Sequence, residues 1–456
     1  MMSHMSTLHF RTALLPCGWA RDVRIEIADR RIIKMTIAVA PLPGDERHEI
    51  ALPGFASLHS HAFQRGMAGL AEVRGPTSDT FWTWRETMYR FALSMSPEDV
   101  EALALQLYCE MLEAGFTRVG EFHYLHHDRD GRPYANSAEM AERIAAAASD
   151  SGIGLTLLPS FYAHSTFGGE PPHAGQRRFI CSVDHFAGLV EASSSAIANL
   201  PGANIGVAPH SLRAVPPDEL REVAAIANGR PVHIHVAEQV KEVEDCIAWS
   251  GKRPVEWLLA NAPVDERWCL IHATHMTTAE TAAVAKSGAV AGLCPVTEAS
   301  LGDGTFPARA YLQANGRFGI GTDSNVLVGV TDELRQLEYA QRLALRERNV
   351  FASRADISTG RALYEAAARG GAQALAQSVC CLAEGVIADI VTLDATHPSL
   401  AGRREDQIID GWIFASRGDA ADCVWGGGVK VVEGGRHRLR DRARRQFDKT
   451  LSNLLA

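Results

Sequence analysis

The chain has 456 residues, 46% hydrophobic and 22% charged, with 45 basic against 54 acidic side chains and a formal net charge of −9. That composition excludes a wholly disordered chain, and the acidic balance speaks against a partner that is nucleic acid. At roughly 150 residues per domain the length suggests about three domains, although an α/β barrel often takes 250 or more as one unit.

In chain order, the N-terminal MMSHMSTLHF lacks the apolar stretch of a secretory signal. Residues 6–52 read as short strands, with alternation over Val23–Ile27 and a second β-like stretch over Arg31–Val39. From residue 53 the pattern changes. Eight short apolar runs follow, at Pro53–Leu58, Thr117–Phe122, Gly154–Phe161, Asn204–Pro209, Pro231–Val236, Trp268–Ala273, Ala289–Cys294 and Phe318–Thr322. Helical patterns separate them, among them Pro97–Ala114, Ser137–Ser149, Pro217–Ala227 and Thr278–Lys286. Ser96 before Pro97, and Thr277 with Glu280 three residues on, are helix-start signals. Strand–helix units in series predict an α/β fold, a parallel (β/α)8 TIM-like barrel. The polar stretches Gly75–Thr80 and Thr166–Gly175 follow presumed strand ends and are candidate active-site loops. Toward the C-terminus β character returns at Ala388–Leu393 and Val429–Val432, the latter followed by the turn Glu433-Gly434-Gly435. The one basic run, Arg436 to Arg445, reads as a solvated helix.

No apolar run approaches the ~20 residues of a membrane helix, so no membrane association is expected. The nine cysteines are scattered, at 17, 109, 181, 246, 269, 294, 380, 381 and 423, and form no CxxC pair. They read as reduced thiols of a cytoplasmic protein.

The chemistry-bearing residues sit at strand ends. His59-Ser60-His61 closes the first run, and i and i+2 project from the same side of a strand. His233-Ile234-His235 lies in the fifth run, with Glu238 three residues beyond it. His272 and His275 end the sixth run, and Asp323 follows the eighth. In a barrel, these C-terminal strand ends converge on one mouth. Neutral imidazoles with one carboxylate suit Zn2+, which lowers the pKa of a coordinated water toward about 7, although Fe2+, Co2+ or Mn2+ also fits such donors. Glu238 is placed to shuttle protons without ligating. An HExxH helix is absent, which argues against a zincin protease. His233 and His275 are the less direct members, and His123, His126 and His127 read as mostly structural.

The segments LPGFASLHSHAF, HIHVAEQ, LIHATH and GIGTDS resemble the amidohydrolase superfamily, more narrowly its mononuclear deaminases, and LAEGVIADIVTLD does so near the C-terminus. The resemblance implies a catalytic barrel at 53–384 beside a small β-sandwich domain composed of 1–52 and 385–456. It implies that His59, His61, His235 and Asp323 hold one divalent metal, in the first place Zn2+. Glu238, His272 and Asp323 would then be the catalytic groups that move protons. Binuclear members carry a bridging lysine on the fourth strand, and NIGVAPHSLR has none.

Further segments, HSHAFQRGMAGLAE, DTFWTWRETMYR, EFHYLHHD, HSLRAV, WCLIHATH and LCPVTEASLGDG, resemble one deiminase branch of that superfamily along nearly the whole chain. That branch implies ammonia release from a formimino amino dicarboxylate in histidine breakdown, and a homodimer. A dicarboxylate needs cations beside the metal, and arginine offers a planar fork for two carboxylate oxygens. By resemblance Gln64, Arg85, Tyr124, His210 and Arg213 would grip this anionic substrate. Each has a plainer alternative. Arg85 could stack on a neighbouring indole or pair with Glu86, Tyr124 could pack at the core rim, and Gln64 could cap a helix. Guanine, cytosine and S-adenosylhomocysteine deaminases and imidazolonepropionase share the metal motifs. A catalytically silent barrel scaffold is the other alternative.

Overall fold

In the computed structural model, which describes residues 5–75, 79–377 and 381–456, the alternating N-terminal segment forms four strands. These are β1 (Ser6–Leu15), β2 (Gly18–Ala28), β3 (Arg31–Thr36) and β4 (Glu46–Pro53). β3 stops short of Val39: Ala38 takes a positive φ of 58° and breaks the regular ladder, while Ala38 N and Val39 N still bond Arg21 O and Asp22 O of β2.

The eight apolar runs become the parallel strands of the barrel. They are β5 (Phe55–Ser60), β6 (Phe116–His123), β7 (Gly154–Phe161), β8 (Asn204–Ile205) with β9 (Ala208–Pro209), β10 (Val232–Val236), β11 (Trp268–His272), β12 (Val290–Leu293) and β13 (Arg317–Ile320). The fourth run is split at Gly206, which runs so close to the next strand that a Cβ there would stand 2.6 Å from Pro231 O. Two arcs are hydrogen-bonded internally, β5-β6-β7-β8 with β9 on β7, and β10-β11-β12-β13. Parallel bridges join the arcs at both seams, Val207 with Val232 and Ser60 with Asp323. The bonds at these seams are ordinary ones, His233 N–H to Val207 O and Asp323 N–H to His59 O, each 3.0 Å. The architecture is thus a TIM-like α/β barrel whose first and last strands meet where His59, His61 and Asp323 lie.

The helices begin where their caps dictate. Ser96 and Asp99 form a reciprocal capping box ahead of helix Pro97–Glu113, and Thr277 with Glu280 does the same ahead of Thr278–Ser287. Helix Thr359–Ala374 lies directly on β13. A Cβ on Gly370 would meet Phe318 O at 1.9 Å, so only glycine permits this approach.

The C-terminal segment adds β14 (Ile390–Leu393), β15 (Ala421–Gly426), β16 (Val429–Glu433) and β17 (Arg436–His437). These join the N-terminal strands in one sheet of order β17-β16-β15-β14-β4-β1-β2-β3. β4 is the hinge of that order, pairing parallel with β1 and antiparallel with β14. Phe10, Ile25, Ile390 and Trp425 belong to the core beneath the sheet. A buried ion pair, Arg118 Nε to Asp389 Oδ2 at 2.8 Å, ties the sheet to the barrel strand β6. The basic run ends β17 and enters helix Arg440–Leu454, of which only Ala443 and Thr450 are buried.

The eight described cysteines are free thiols, and Cys380 lies outside the described residues. No described helix is long and apolar enough to cross a membrane. Of the candidate loop Gly75–Thr80, residues 76–78 lie outside the described residues, and Thr80 caps helix Phe81–Ser94.

Candidate active site

The mouth of the barrel gathers His59, His61, His235 and Asp323, whose donor atoms all lie within 4.8 Å of one another. The pleat of β5 turns His59 inward, His61 follows it one residue past the strand, and the Ser60–Asp323 bridge brings the segment after β13 against them. Asp323 Oδ1 stands 3.4 Å from both His59 Nε2 and His61 Nε2. His235 Nε2 faces His59 Nε2 at 3.1 Å.

Tautomers follow from the partners of the opposite ring nitrogens. His61 Nδ1 lies 2.9 Å from Phe122 O, and His235 Nδ1 lies 2.9 Å from His210 O. A carbonyl only accepts, so both Nδ1 atoms carry the hydrogen and both Nε2 atoms present bare lone pairs. Burial lowers all three imidazole pKa values, His59 to about 3, which keeps the rings neutral at pH 7. Asp323 stays ionised: burial works against it, but His59, His272 and His61 hold its carboxyl well below the usual range. Converging lone pairs and a carboxylate, braced from behind by main-chain carbonyls, are a donor set that fits a divalent cation.

A second group stands beside the quartet. His272 ends β11 at a left-handed φ of 67°, and Asp323 at 46°; non-glycine residues in this region carry strain that recurs at functional sites. His272 Nδ1 is 3.3 Å from Glu298 Oε1, while its Nε2 is 3.6 Å from Glu238 Oε1 and 3.8 Å from Asp323 Oδ2. Burial pulls its pKa down, but Glu238, Glu298 and Asp323 outweigh that and push it up to about 10. Glu238 is pushed up to about 7 by burial, against His272 and Arg213. A neighbouring carboxyl, Asp303, is pushed up to about 9 by burial and then by Glu238.

His61, His235, Asp323, Glu238 and His272 floor a cavity of ≈ 50 Å³ with aromatic walls. Arg85 and Arg213 both line it. Arg85 lies 4.4 Å from the ring centre of Trp82, and Arg213 5.5 Å from those of Phe81 and Trp82. Arg213 is 6% exposed, and neither its Nη1 nor Arg85 Nε has a hydrogen-bond partner. Gln64 Nε2 donates to Tyr124 OH at 2.9 Å, leaving Gln64 Oε1 without a partner. The His210 ring meets Tyr162 edge-on at 4.6 Å and lies tilted 4.9 Å from His235.

Every expected site residue therefore meets at one mouth. The remaining histidines do not. His233 Nε2 bonds Ala374 O, His275 Nε2 bonds Asp303 O, and His126 Nε2 bonds Ser160 O, each at 2.8 Å. Three acids at the site escape a reading of the sequence alone. Glu298 backs His272 and also accepts from Cys294 N. Glu242 accepts from Ala237 N and Glu238 N, both at 3.0 Å, and so fixes the turn that carries Glu238. Asp303 accepts from Gln239. The available signal was their position: Glu242 and Glu298 are first-turn acids of helices Val240–Ser250 and Pro295–Leu301, where a carboxylate reaches back to free N–H groups.

Comparison with known proteins agrees with this geometry. Residues 50–431 match the Amidohydrolase family, and residues 5–49 match the description "Formimidoylglutamate deiminase HutF, N-terminal domain". The chain is 51% identical over 453 residues to a curated formimidoylglutamate deiminase of Pseudomonas aeruginosa, covering 99% of this chain and 100% of that protein. The crystal structure of an amidohydrolase from Brucella melitensis superposes with a TM-score of 0.96 at 60% identity, covering 99% of this chain and 100% of that one. A zinc-bound adenosine deaminase from Xanthomonas campestris shares the fold, with a TM-score of 0.81 at 20% identity over 98% of each chain.

Proposed function

The chain belongs to the amidohydrolase family, and from that premise we propose that it is a hydrolase acting on N-formimino-L-glutamate, yielding N-formyl-L-glutamate and ammonia in histidine catabolism. The observation that carries the substrate is the pair of guanidinium groups, Arg85 and Arg213, with unpartnered N–H groups in the cavity above the donor quartet. A desolvated cation with a free donor calls for an anion, and two of them suit a dicarboxylate. Guanine and cytosine offer no carboxylate to such a pair, and imidazolonepropionate and S-adenosylhomocysteine offer one where the pair takes two.

His59, His61, His235 and Asp323 would hold one divalent metal, Zn2+ in the first place. When bound, it supplies Lewis-acid chemistry that makes water nucleophilic near neutral pH. Arg85 and Arg213 take the substrate carboxylates, while Gln64, Tyr124 and His210 orient the formimino group over the quartet. Water adds to the formimino carbon, and its proton passes to Asp323. The His272 imidazolium hydrogen-bonds the incoming oxygen and steadies the charge that grows there. Glu238 gives its proton to the imino nitrogen as the water adds, and the proton held by Asp323 follows to the same nitrogen; Glu238 then takes the hydroxyl hydrogen as the carbonyl forms, the C–N bond breaks, and ammonia leaves. Glu238, His272 and Asp323 are thus the proton-handling residues.

The organisation consistent with this reading is a catalytic barrel at 53–384 and a composite domain of 1–52 with 385–456, in a cytoplasmic homodimer. The test is an ammonia-release assay with N-formimino-L-glutamate and product identification. Ammonia with N-formylglutamate is the expected result. Formamide with glutamate would overturn the assigned bond, and no turnover would overturn the substrate.

A further inference from the structure

We propose that His127, Cys181 and His185 form a second metal site, for a borderline-soft ion such as Zn2+, where the loops that follow β6 and β7 meet the first turn of helix Val183–Ile197. It shares no residue with the quartet at the mouth. The three donor atoms lie within 4.8 Å of one another, with His127 and Cys181 buried and His185 half-buried. Cys181 Sγ is 3.8 Å from His127 Nε2, and the rings of His127 and His185 are 5.1 Å apart at 38°. Bond lengths of about 2.3 Å to sulfur and about 2.0 Å to nitrogen give a tetrahedral S–N edge of roughly 3.6 Å, close to the Cys181–His127 separation, and the His127 ring turns off Ile180 O to admit the ion.

The backbone beneath the three residues is already fixed. Cys181 N–H bonds Tyr162 O at 3.0 Å at the end of β7, and His127 N–H bonds Arg178 O at 3.1 Å. Arg178 Nε returns a bond to His127 O at 2.8 Å. Ser182 Oγ caps helix Val183–Ile197 by accepting from His185 N, which sets His185 one turn above Cys181. A site assembled on pinned backbone loses little entropy when an ion enters. Thiolate with imidazole selects Zn2+ over Mg2+ or Ca2+.

Binding exchanges protons for metal. Burial pushes the free Cys181 thiol up to about 12, so it carries its hydrogen until an ion displaces it. His127 Nε2 also gives up the hydrogen that it directs at Ile180 O, 2.8 Å away. Metal–sulfur and metal–nitrogen bonds form, the thiol proton passes to water, the imidazole hydrogen moves to Nδ1 so that His127 binds as a neutral ring, and nothing is oxidised or reduced. The fourth position opens beside partly exposed His185 and is left for water.

Cobalt distinguishes this site from the mouth, because thiolate-to-Co2+ charge transfer absorbs in the near ultraviolet and the quartet contains no sulfur. The full chain, stripped with a chelator and reloaded with Co2+, should show that band and bind one equivalent more than the Cys181→Ser variant. Cys181→Ser should lose the band while keeping ammonia release. His185→Gln, at a half-buried position that tolerates change, should weaken Co2+ at this site by at least about tenfold in chelator competition. A band that survives Cys181→Ser, as a thiolate at Cys294 beside His272 would give, overturns the proposal. So does saturation of the unaltered chain at one equivalent with no band. Either result leaves the deiminase reading standing, since ammonia release is measured separately.

Discussion

His235 and His272 end adjacent strands, are both buried, and hold their rings 5.7 Å apart at 24°. Their surroundings nevertheless drive them in opposite directions. His235 has imidazoles and a carbonyl for company, and burial holds it well below its usual pKa. His272 has carboxylates at 3.3, 3.6 and 3.8 Å, and is pushed up to about 10. Depth in the barrel is common to both, so it decides neither role. The neighbouring charges decide which ring is held neutral and which is held protonated, and under the proposed reading the first offers a lone pair to a metal and the second a proton.

That contrast can be broken in graded steps. The largest effect is expected from His235→Ala, which removes a donor from the quartet: metal content by elemental analysis and ammonia release should both fall to background. Glu238→Gln should instead leave metal content intact and lower kcat by ~10²–10⁴, the usual worth of a general acid. A metal-loaded Glu238→Gln enzyme with full turnover would remove Glu238 from the mechanism. Glu298→Gln changes the far side of His272 and keeps an oxygen that can accept from Cys294 N. It should cost roughly 10–100-fold in kcat with KM nearly unchanged, whereas a merely structural role for Glu298 would lower melting temperature and leave kcat per folded enzyme alone. Arg213→Lys keeps charge but loses the fork, so KM should rise roughly tenfold or more while the metal-dependent chemistry persists.

The smallest effect tests the contrast through stability. His123 and His233 are both lowered to about 4 by burial. Between that value and the ordinary ~6.5 the unfolded chain binds more protons than the folded one, so their contribution is present above about pH 6.5 and is lost as pH falls toward 4. His272 has the reverse sign: its contribution is present below about pH 6.5 and is lost as pH rises through about 10. Melting curves of the metal-free protein should therefore fall off on the acid side, and His272→Gln should flatten only the alkaline limb.

Much of the mouth was legible in the sequence because its residues stand at strand termini, where a two-residue period and a run of apolar residues fix direction. His59, His61, His235, His272 and Asp323 are all of this kind. The supporting acids were not legible for a physical reason. Glu242 and Glu298 sit in first helical turns, where an acid commonly satisfies free N–H groups, and nothing in a linear pattern distinguishes one that also faces an imidazole. Arg85 was ambiguous because it lies on a helix in a long connection. Its guanidinium does stack on Trp82, one of its plainer alternatives, and it also lines the cavity of its own chain. The split of the fourth strand at Gly206 was equally hidden, since it depends on the close pass of Pro231.

The pairing of β4 with β14 has a consequence for biosynthesis. Ile50, Ala51, Leu52 and Pro53 leave the ribosome early, yet their partners Leu393, Thr392, Val391 and Ile390 are made only after the entire barrel. At about 5–20 residues per second, the β4 edge waits for tens of seconds as an unpaired, partly apolar strand. A nascent chain in this interval is an expected client for chaperones that shield strand edges. Truncation before β14 should yield a product that aggregates even though every residue of the mouth has been made.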